Sequence, residues 1–159
     1  MVLLLGLTVA CGGEPPIPAD FETTWSEVRT CDQGTEHDAV TTRIFVNDIA
    51  EPVWKDWADR VAASGNGALP AGEMIEFPEG SVLLMEEYSG AACTGSKRWT
   101  KMTRLSGGVD VDNGNWRFET ISADEDGDPD ELAPGGDGCF VCHGNYRRYD
   151  YAGNNSNVP

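Results

Sequence analysis

The five cysteines constrain this chain more than any other feature of its sequence, because their spacing divides them into three chemically different groups. The first follows an apolar run at the N-terminus, the next two are isolated, and the last two form a CxxC pair that a histidine follows directly. Each group predicts a different covalent bond. In chain order the cysteines are Cys11, Cys31, Cys93, Cys139 and Cys142.

Cys139, Cys142 and His143 form a CxxCH sequence, which is the attachment signature of a c-type haem. Two thiols at this spacing can each add to one vinyl group of the haem, and the adjacent imidazole then lies beneath the iron as its proximal ligand. We predict one covalent haem c per chain, attached through the two cysteines, with His143 bound to the iron.

Three other uses of a CxxC pair fit the sequence less well. A zinc site requires a second ligand pair, and the only other histidine, His37, stands near the single thiol of Cys31. A thioredoxin-like redox pair requires an α/β pattern that this chain lacks. A plain disulfide between Cys139 and Cys142 stays open for a chain that never meets the haem-attachment machinery.

Residues 2–10 are almost entirely apolar and end at Cys11. Such a run is too short to span a bilayer as a helix, but it suits the hydrophobic region of an export signal. The small residue before Cys11 resembles the cleavage box of a bacterial lipoprotein, although Thr8 stands where leucine is usual and no basic residue precedes the run. We predict an export signal over 1–10 and lipidation of Cys11, with the protein in the periplasm or on the outer surface of a bacterium. The alternative is a chance apolar N-terminus on a cytosolic protein.

Export implies an oxidising compartment, in which the remaining two cysteines, Cys31 and Cys93, are expected to pair. Such a disulfide closes a long loop and restricts the unfolded ensemble. Two free thiols are the alternative.

The net charge of −16, from 27 acidic and 11 basic residues, restricts the possible partners. Nucleic acid and anionic lipid headgroups both require a cationic surface, so nucleic acid is not an expected partner and a membrane is expected only through the lipid anchor. Gly and Pro punctuate positions 11–20, which predicts a flexible tether ahead of one folded domain over 21–155. With 40% apolar residues this domain can bury a core.

The predicted fold is α+β and mainly β. Apolar residues at four-residue steps predict one amphipathic helix between positions 47 and 64, which Asn47 or Asp48 can cap and Gly65 can end. Short gaps that contain Gly or Pro separate the strand-like segments and favour antiparallel pairing. We expect an antiparallel sheet of about five strands, one main helix and a C-terminal haem-attachment segment. The predicted strands cover 40–46, 74–77, 81–88, 98–105 and 115–121.

Residues 122–138 contain seven acidic side chains and no basic one. Aspartates at four alternate positions resemble the first half of a calcium loop, but an EF-hand loop requires Gly and Glu where this register has Pro and Gly. A solvated acidic loop is therefore favoured, and bound calcium is not expected. The four aspartates are Asp124, Asp126, Asp128 and Asp130.

Several segments, taken in order, resemble the cytochrome P-460 and cytochrome c′-β family. The likeness spans about 41–151, and only the CxxCH motif is specific by itself. The segments are 45–48 (FVND), 77–82 (FPEGSV), 114–118 (GNWRF), 139–143 (CFVCH) and 149–151 (YDY).

The resemblance implies a largely β fold, commonly dimeric, with one c-type haem whose distal side is open to small ligands such as nitric oxide or hydroxylamine. Family members that oxidise hydroxylamine carry a lysine joined covalently to the haem. The predicted strand over 81–88 holds no lysine, whereas Lys97 and Lys101 lie on the next one.

A sixth iron ligand would come from a methionine or a second histidine. A methionine on a strand more commonly fills the core, and the other histidine is expected in a polar loop, so we expect a five-coordinate iron. These candidates are Met74, Met85, Met102 and His37.

Three functions follow from these features. The first is an exported mono-haem c-type cytochrome that binds a small nitrogenous or gaseous ligand at the iron. The second is an electron carrier whose acidic surface steers a basic redox partner protein. The third is an oxidoreductase acting on hydroxylamine or nitric oxide. Whether the protein is an enzyme stays open, since the many carboxylates offer no single general base.

Overall fold

The structure is a computed structural model that describes residues 17–33, 39, 41–123, 129–134, 137–150 and 152. The predicted export signal and the predicted lipidation site at Cys11 lie outside these residues. In chain order the elements are α1 (Phe21–Thr24), β1 (Ser26–Gln33), β2 (Thr41–Val46), α2 (Glu51–Ser64), β3 (Val82–Gly90), β4 (Thr94–Arg104), β5 (Trp116–Ala123), β6 (Pro129–Pro134), α3 (Asp137–His143) and a 3-10 helix over Gly144–Tyr149.

The strands in the described part of the chain form one antiparallel sheet in the order β1-β2-β3-β4-β5-β6. Each strand therefore pairs with its neighbour in sequence, and α2 is inserted between β2 and β3. In the centre of the sheet, Leu83 pairs with Val46 and Met102, and Met102 pairs in turn with Phe118. The predicted mainly β, α+β architecture is confirmed, with six strands where about five were expected.

Successive side chains on a strand point to opposite faces, so each face of the sheet builds its own apolar cluster. We call the face that packs against α2 the helix face, and the face that packs against residues 17–25 the N-terminal face. The buried residues of the helix face include Ile44, Val46, Trp54, Trp57, Leu83, Met102, Trp116 and Phe118. Those of the N-terminal face are Ile17, Phe21, Phe45, Leu84, Trp99 and Ile121.

The main helix forms where the apolar spacing predicts it. The predicted cap by Asn47 or Asp48 is wrong, because the N-cap of α2 is Ala50, which forms no side-chain cap. Asn47 lies in the turn ahead of the helix, where its side chain accepts the backbone N–H of Ala50 at 3.1 Å. Gly65 ends the helix with φ at +69°, a left-handed conformation that glycine adopts without a Cβ clash. The buried side is formed by Trp54, Trp57 and Val61, whereas Ile49 precedes the helix and is exposed.

The predicted strand over 74–77 is wrong. Ile75 and Phe77 are buried while Met74 and Glu76 are exposed, so the segment has the alternation of a strand. It is extended chain without strand pairing, lying between α2 and β3. The period-two pattern thus marks alternate burial along the segment and not membership of the sheet.

Both edge strands are absent from the prediction. β1 is mostly polar and exposed, and β6 lies within the segment predicted to be an acidic loop. An edge strand buries little surface and carries polar residues that discourage pairing with other chains, so it lacks a strong apolar alternation. The acidic-loop prediction is therefore wrong for residues 129–134, while residues 124–128 lie outside the described part.

The folded part begins earlier than position 21. Ile17 is only 2% exposed and packs in the N-terminal-face cluster, so the end of the predicted tether belongs to the core. At the other end, Ala152 is buried in the helix-face cluster. Among the described helices, none combines the length and apolar character that a bilayer-spanning segment requires.

Cys31 of β1 and Cys93, in the turn between β3 and β4, form the disulfide that the cysteine count predicts. Their Cα atoms lie 5.8 Å apart across a sequence separation of 62 residues. The bond ties the edge strand to the turn that joins two central strands. The turn is held further by Thr41, whose hydroxyl donates to Gly90 O at 2.8 Å and accepts the Cys93 N–H at 3.1 Å.

Candidate functional site

The CxxCH motif occupies the last five residues of α3. Residues at i, i+3 and i+4 share one face of a helix, so this spacing puts Cys139, Cys142 and His143 on the same side of α3. Cys139 is half-buried against the helix-face cluster, Cys142 is exposed, and neither thiol is in a disulfide. The three groups that haem attachment requires are therefore presented together.

His143 packs against the sheet through Phe118. The two ring centroids are 5.1 Å apart with an interplanar angle of 55°. Phe118 is a buried residue of β5 and pairs with Met102 of β4, so the imidazole lies on the helix face. The position of this potential iron ligand thus depends on a rigid part of the core.

A buried carboxylate lies on the same face near the attachment helix. Glu87 of β3 pairs across the sheet with Thr42, and its side chain is 2% exposed. Arg98 and Thr100 both donate hydrogen bonds to it. Burial raises the pKa of the Cys139 thiol, and the negative charge of Glu87 raises it further. The Cys139 thiol is thus held in its neutral form to higher pH than an ordinary cysteine.

A second carboxylate anchors the chain that follows the motif. Asp150 is 7% exposed; its Oδ2 accepts the backbone N–H of Phe77 at 2.7 Å, and its Oδ1 accepts a hydrogen bond from Arg104 Nη1 at 2.8 Å. Burial raises the pKa of this carboxyl although both contacts favour the charged form. The segment after His143 is therefore fixed to the end of β4.

The lysines considered for a haem cross-link lie on the other side of the sheet. Lys101 pairs in register with Leu84 and forms an ion pair of 3.0 Å with Glu119. Lys97 lies over the Trp99 ring, 4.8 Å from its centroid, and donates to Glu86 at 2.9 Å. Both side chains belong to the N-terminal face, so the sheet separates them from His143.

Glu86 is the centre of a buried polar cluster on that N-terminal face. Its side chain is fully buried, with 0% exposure. Besides Lys97, three groups donate to its carboxylate: Arg43 Nη1 at 3.1 Å, the Tyr88 hydroxyl at 2.8 Å and the Trp99 indole at 3.2 Å. Every donor keeps the charge satisfied away from water, which makes this cluster a structural element of the fold.

The candidate sixth ligands are scattered. Met74 is 62% exposed in the segment before β3, and Met102 is buried within the helix-face cluster. Met85 is half-buried and packs against the helix-face cluster, on the same side of the sheet as His143. His37 lies outside the described residues.

The residues present fit a covalently attached haem. The two thiols are unbonded on the same side of α3 as an imidazole, and Cys139 packs against the apolar cluster of the helix face. The buried hydroxyl of Thr42, on that face, has no hydrogen-bond partner within the described residues. No group of three or more acidic, Cys or His side chains that could hold a free metal ion is found in this part of the chain. Asp130 is in β6. The other three aspartates of the calcium-like pattern lie outside the described residues.

Sequence reasoning found the motif but missed the residues that surround it. Glu87 and Arg104 are named by no motif, and their placement follows from strand register; Asp150 lies in the YDY segment of the family resemblance, which gave it no role. Two adjacent glutamates within an apolar strand were the one available signal. Protein-family models and characterised proteins offer no guide either, since none of them matches this chain.

Proposed function

We propose that this chain is an exported mono-haem c-type cytochrome whose iron binds a small ligand such as nitric oxide or a hydroxylamine-like molecule. Cys139 and Cys142 attach the haem, and His143 is the proximal ligand. The observation that supports this proposal best is the presentation of two unbonded thiols and one imidazole on the same side of α3. A bound haem c would supply an iron that can take up a diatomic or nitrogenous ligand.

The protein's own residues exclude water from one side and hold the imidazole. Phe118 packs against His143, and the apolar cluster of the helix face lies behind it. Low polarity around a haem and a fixed proximal ligand are two of the means by which a protein tunes the iron. This arrangement concerns the proximal side only, and an iron with an open sixth position is proposed from the family resemblance.

The positions of Lys97 and Lys101 argue against a lysine cross-link from β4. Both side chains are paired with carboxylates on the N-terminal face. Ligand binding is therefore the first proposal and hydroxylamine or nitric oxide oxidation the second. A Lys97→Met, Lys101→Met double variant should retain the ferrous spectrum of wild type, and loss of an unusual absorption band in that variant would favour the enzyme.

The optical spectrum tests ligand binding. The protein is produced with haem-attachment machinery and measured as ferric, ferrous and ferrous with carbon monoxide. We expect a high-spin ferrous spectrum that shifts on adding carbon monoxide or nitric oxide. A six-coordinate, low-spin spectrum that neither gas changes would contradict the proposal.

Electron transfer is the remaining alternative, and the spectrum of a Met85 variant tests it. This thioether lies on the same sheet face as His143, and a methionine ligand would fill the sixth position. Met85→Leu should leave the spectrum unchanged if the iron is five-coordinate, with the exposed Met74→Leu as the matched control. A change from low spin to high spin in Met85→Leu alone would establish the electron carrier, for which the charge of −16 suits a basic redox partner.

The location in the cell belongs to the same proposal. Haem c attachment and the Cys31–Cys93 disulfide both suit an oxidising compartment. Lipidation of Cys11 would anchor the domain at the periplasmic side or outer surface of a bacterium, and a homodimer remains a proposal carried by the family resemblance. Metabolic labelling with a fatty acid, compared between wild type and Cys11→Ser, tests the anchor.

A further inference from the structure

We propose that Asp150 is a positioning residue for the imidazole of His143. This inference rests on the proposed function, because it concerns how the proximal ligand of the haem is held. His143 and Asp150 are the two ends of one short segment, and each end contacts the same face of the sheet.

The contacts of Asp150 make it a two-sided clamp. Its Oδ2 binds the backbone of the segment before β3, through Phe77 N–H at 2.7 Å, and its Oδ1 binds the end of β4, through Arg104 at 2.8 Å. Arg104 also donates to Gly114 O, immediately before β5. One buried carboxylate therefore joins three parts of the chain to the residues that follow the motif.

One end of the segment contacts β5 directly through His143, and the other end reaches the same strand through Arg104. Trp116 and Phe118 are two residues apart on this strand and both belong to the helix-face cluster. The Arg104 guanidinium lies 5.6 Å from the Trp116 ring centroid, and His143 lies 5.1 Å from that of Phe118. The clamp and the imidazole are thus supported by neighbouring aromatic side chains of one rigid strand.

The intervening chain is too short to absorb a displacement. The six residues of Gly144–Tyr149 form one 3-10 helix, and the Asp150 N–H donates to Arg147 O at 3.2 Å. Asp150 itself has a φ of +47°, in the left-handed region, which aspartate adopts more readily than most residues with a side chain. A shift of Asp150 would therefore pass directly to the orientation of the His143 ring.

The experiment compares Asp150→Asn with Glu79→Gln in the haem-loaded protein. Glu79 is an exposed carboxylate in the same region, and it accepts a hydrogen bond from the Ser106 hydroxyl. The readouts are the iron–histidine stretching frequency of the ferrous protein and the rate of carbon monoxide release. We expect Asp150→Asn to shift or broaden the stretch and change the release rate about fivefold, somewhat less than is typical for a group bound directly to a metal-ligating histidine. Glu79→Gln should match wild type.

A second readout uses the protein without haem. Loss of the clamp should let α3 open more often, so alkylation of the half-buried Cys139 should become about tenfold faster in Asp150→Asn. If that variant does not fold, Arg104→Lys is measured in the same ways; it keeps a cation opposite Asp150 but loses the guanidinium geometry, and the same direction of change is expected.

The possible failures are distinguishable. A wild-type protein that takes up no covalent haem would overturn the proposed function and this inference with it. If the wild type takes up haem, and Asp150→Asn has the same iron–histidine stretching frequency and carbon monoxide release rate as the wild type, the positioning role alone is overturned.

Discussion

The imidazole of His143 and the phenyl ring of Phe118 lie with their centroids 5.1 Å apart, at an angle of 55°. The contact joins the last residue of the CxxCH motif to the centre of the sheet. It explains how a motif on a short helix near the end of the chain can have a defined position. The helix face, and not the attachment helix alone, holds the candidate iron ligand.

Replacing Phe118 with alanine should disturb both the core and the candidate site. Phe118 is 8% exposed, and truncation of a buried phenylalanine costs about 3 to 5 kcal/mol of the free energy of unfolding. The haem-loaded variant should also show a mixture of spin states, because the imidazole loses its packing partner. Phe118→Leu, the matched control, should cost about 1 kcal/mol and keep one species. Urea unfolding and optical spectra measure the two effects; unchanged values for the alanine variant would contradict them.

Removing the disulfide should destabilise the fold without affecting the haem site. Cys31 and Cys93 close a loop of 62 residues, for which the chain-entropy model gives about 4 kcal/mol. We expect the Cys31→Ser, Cys93→Ser double variant to have a lower urea midpoint by an amount of this order and an unchanged haem content. Equal midpoints for wild type and the double variant would show that the bond contributes nothing to stability.

Replacing Glu86 with glutamine should be costly because its cationic partners stay behind. The Glu86 side chain has 0% exposure, whereas those of Arg43 and Lys97 keep 24% and 23%. Their partial contact with water reduces the usual penalty for breaking a buried pair to about 2 to 3 kcal/mol. Glu27→Gln removes a more exposed partner of the same arginine and should cost less than about 1 kcal/mol. Denaturant unfolding compares the two variants, and an equal cost would contradict the central role of Glu86.

Tyr88 should titrate unusually late. Burial, together with the hydrogen bond to Glu86, raises its pKa from 10.0 to about 12. A raised pKa in the folded state means that the contribution to stability is complete below pH 10.0 and is lost as the pH rises toward about 12. The free energy of unfolding should therefore fall across that interval, and less steeply in Tyr88→Phe. Unfolding curves and tyrosinate absorbance between these pH values test this, and identical slopes for both proteins would refute it.

The central strands and α2 could be predicted from sequence because their apolar spacing reflects burial on a known period. Ser26–Gln33 and Pro129–Pro134 could not, since both are edge strands of polar composition. Ile75 and Phe77 led to the opposite error, a predicted strand that the structure lacks, because they alternate with exposed residues although the segment pairs with no strand. The apolar pattern of a segment indicates which of its side chains are buried, whereas its pairing into a sheet depends on the rest of the fold.

In the candidate site, too, the sequence predicts the local motif but not the residues that the fold brings around it. CxxCH is local, so its three reactive side chains are named by the sequence. The residues that hold it come from distant segments: Phe118 from β5, Arg104 from β4 and Asp150 beyond the motif. Their roles depend on strand register and on burial, which no local motif encodes.

The intact mass of the denatured protein tests the central claim most directly. The protein is produced together with haem-attachment machinery, unfolded to release any non-covalent group, and compared with a Cys139→Ser, Cys142→Ser variant made in the same way. The account predicts that wild type carries the added mass of one haem and keeps its visible absorption, while the variant has the mass of the polypeptide alone. A wild-type mass equal to that of the polypeptide, with or without a Cys139–Cys142 disulfide, would contradict it.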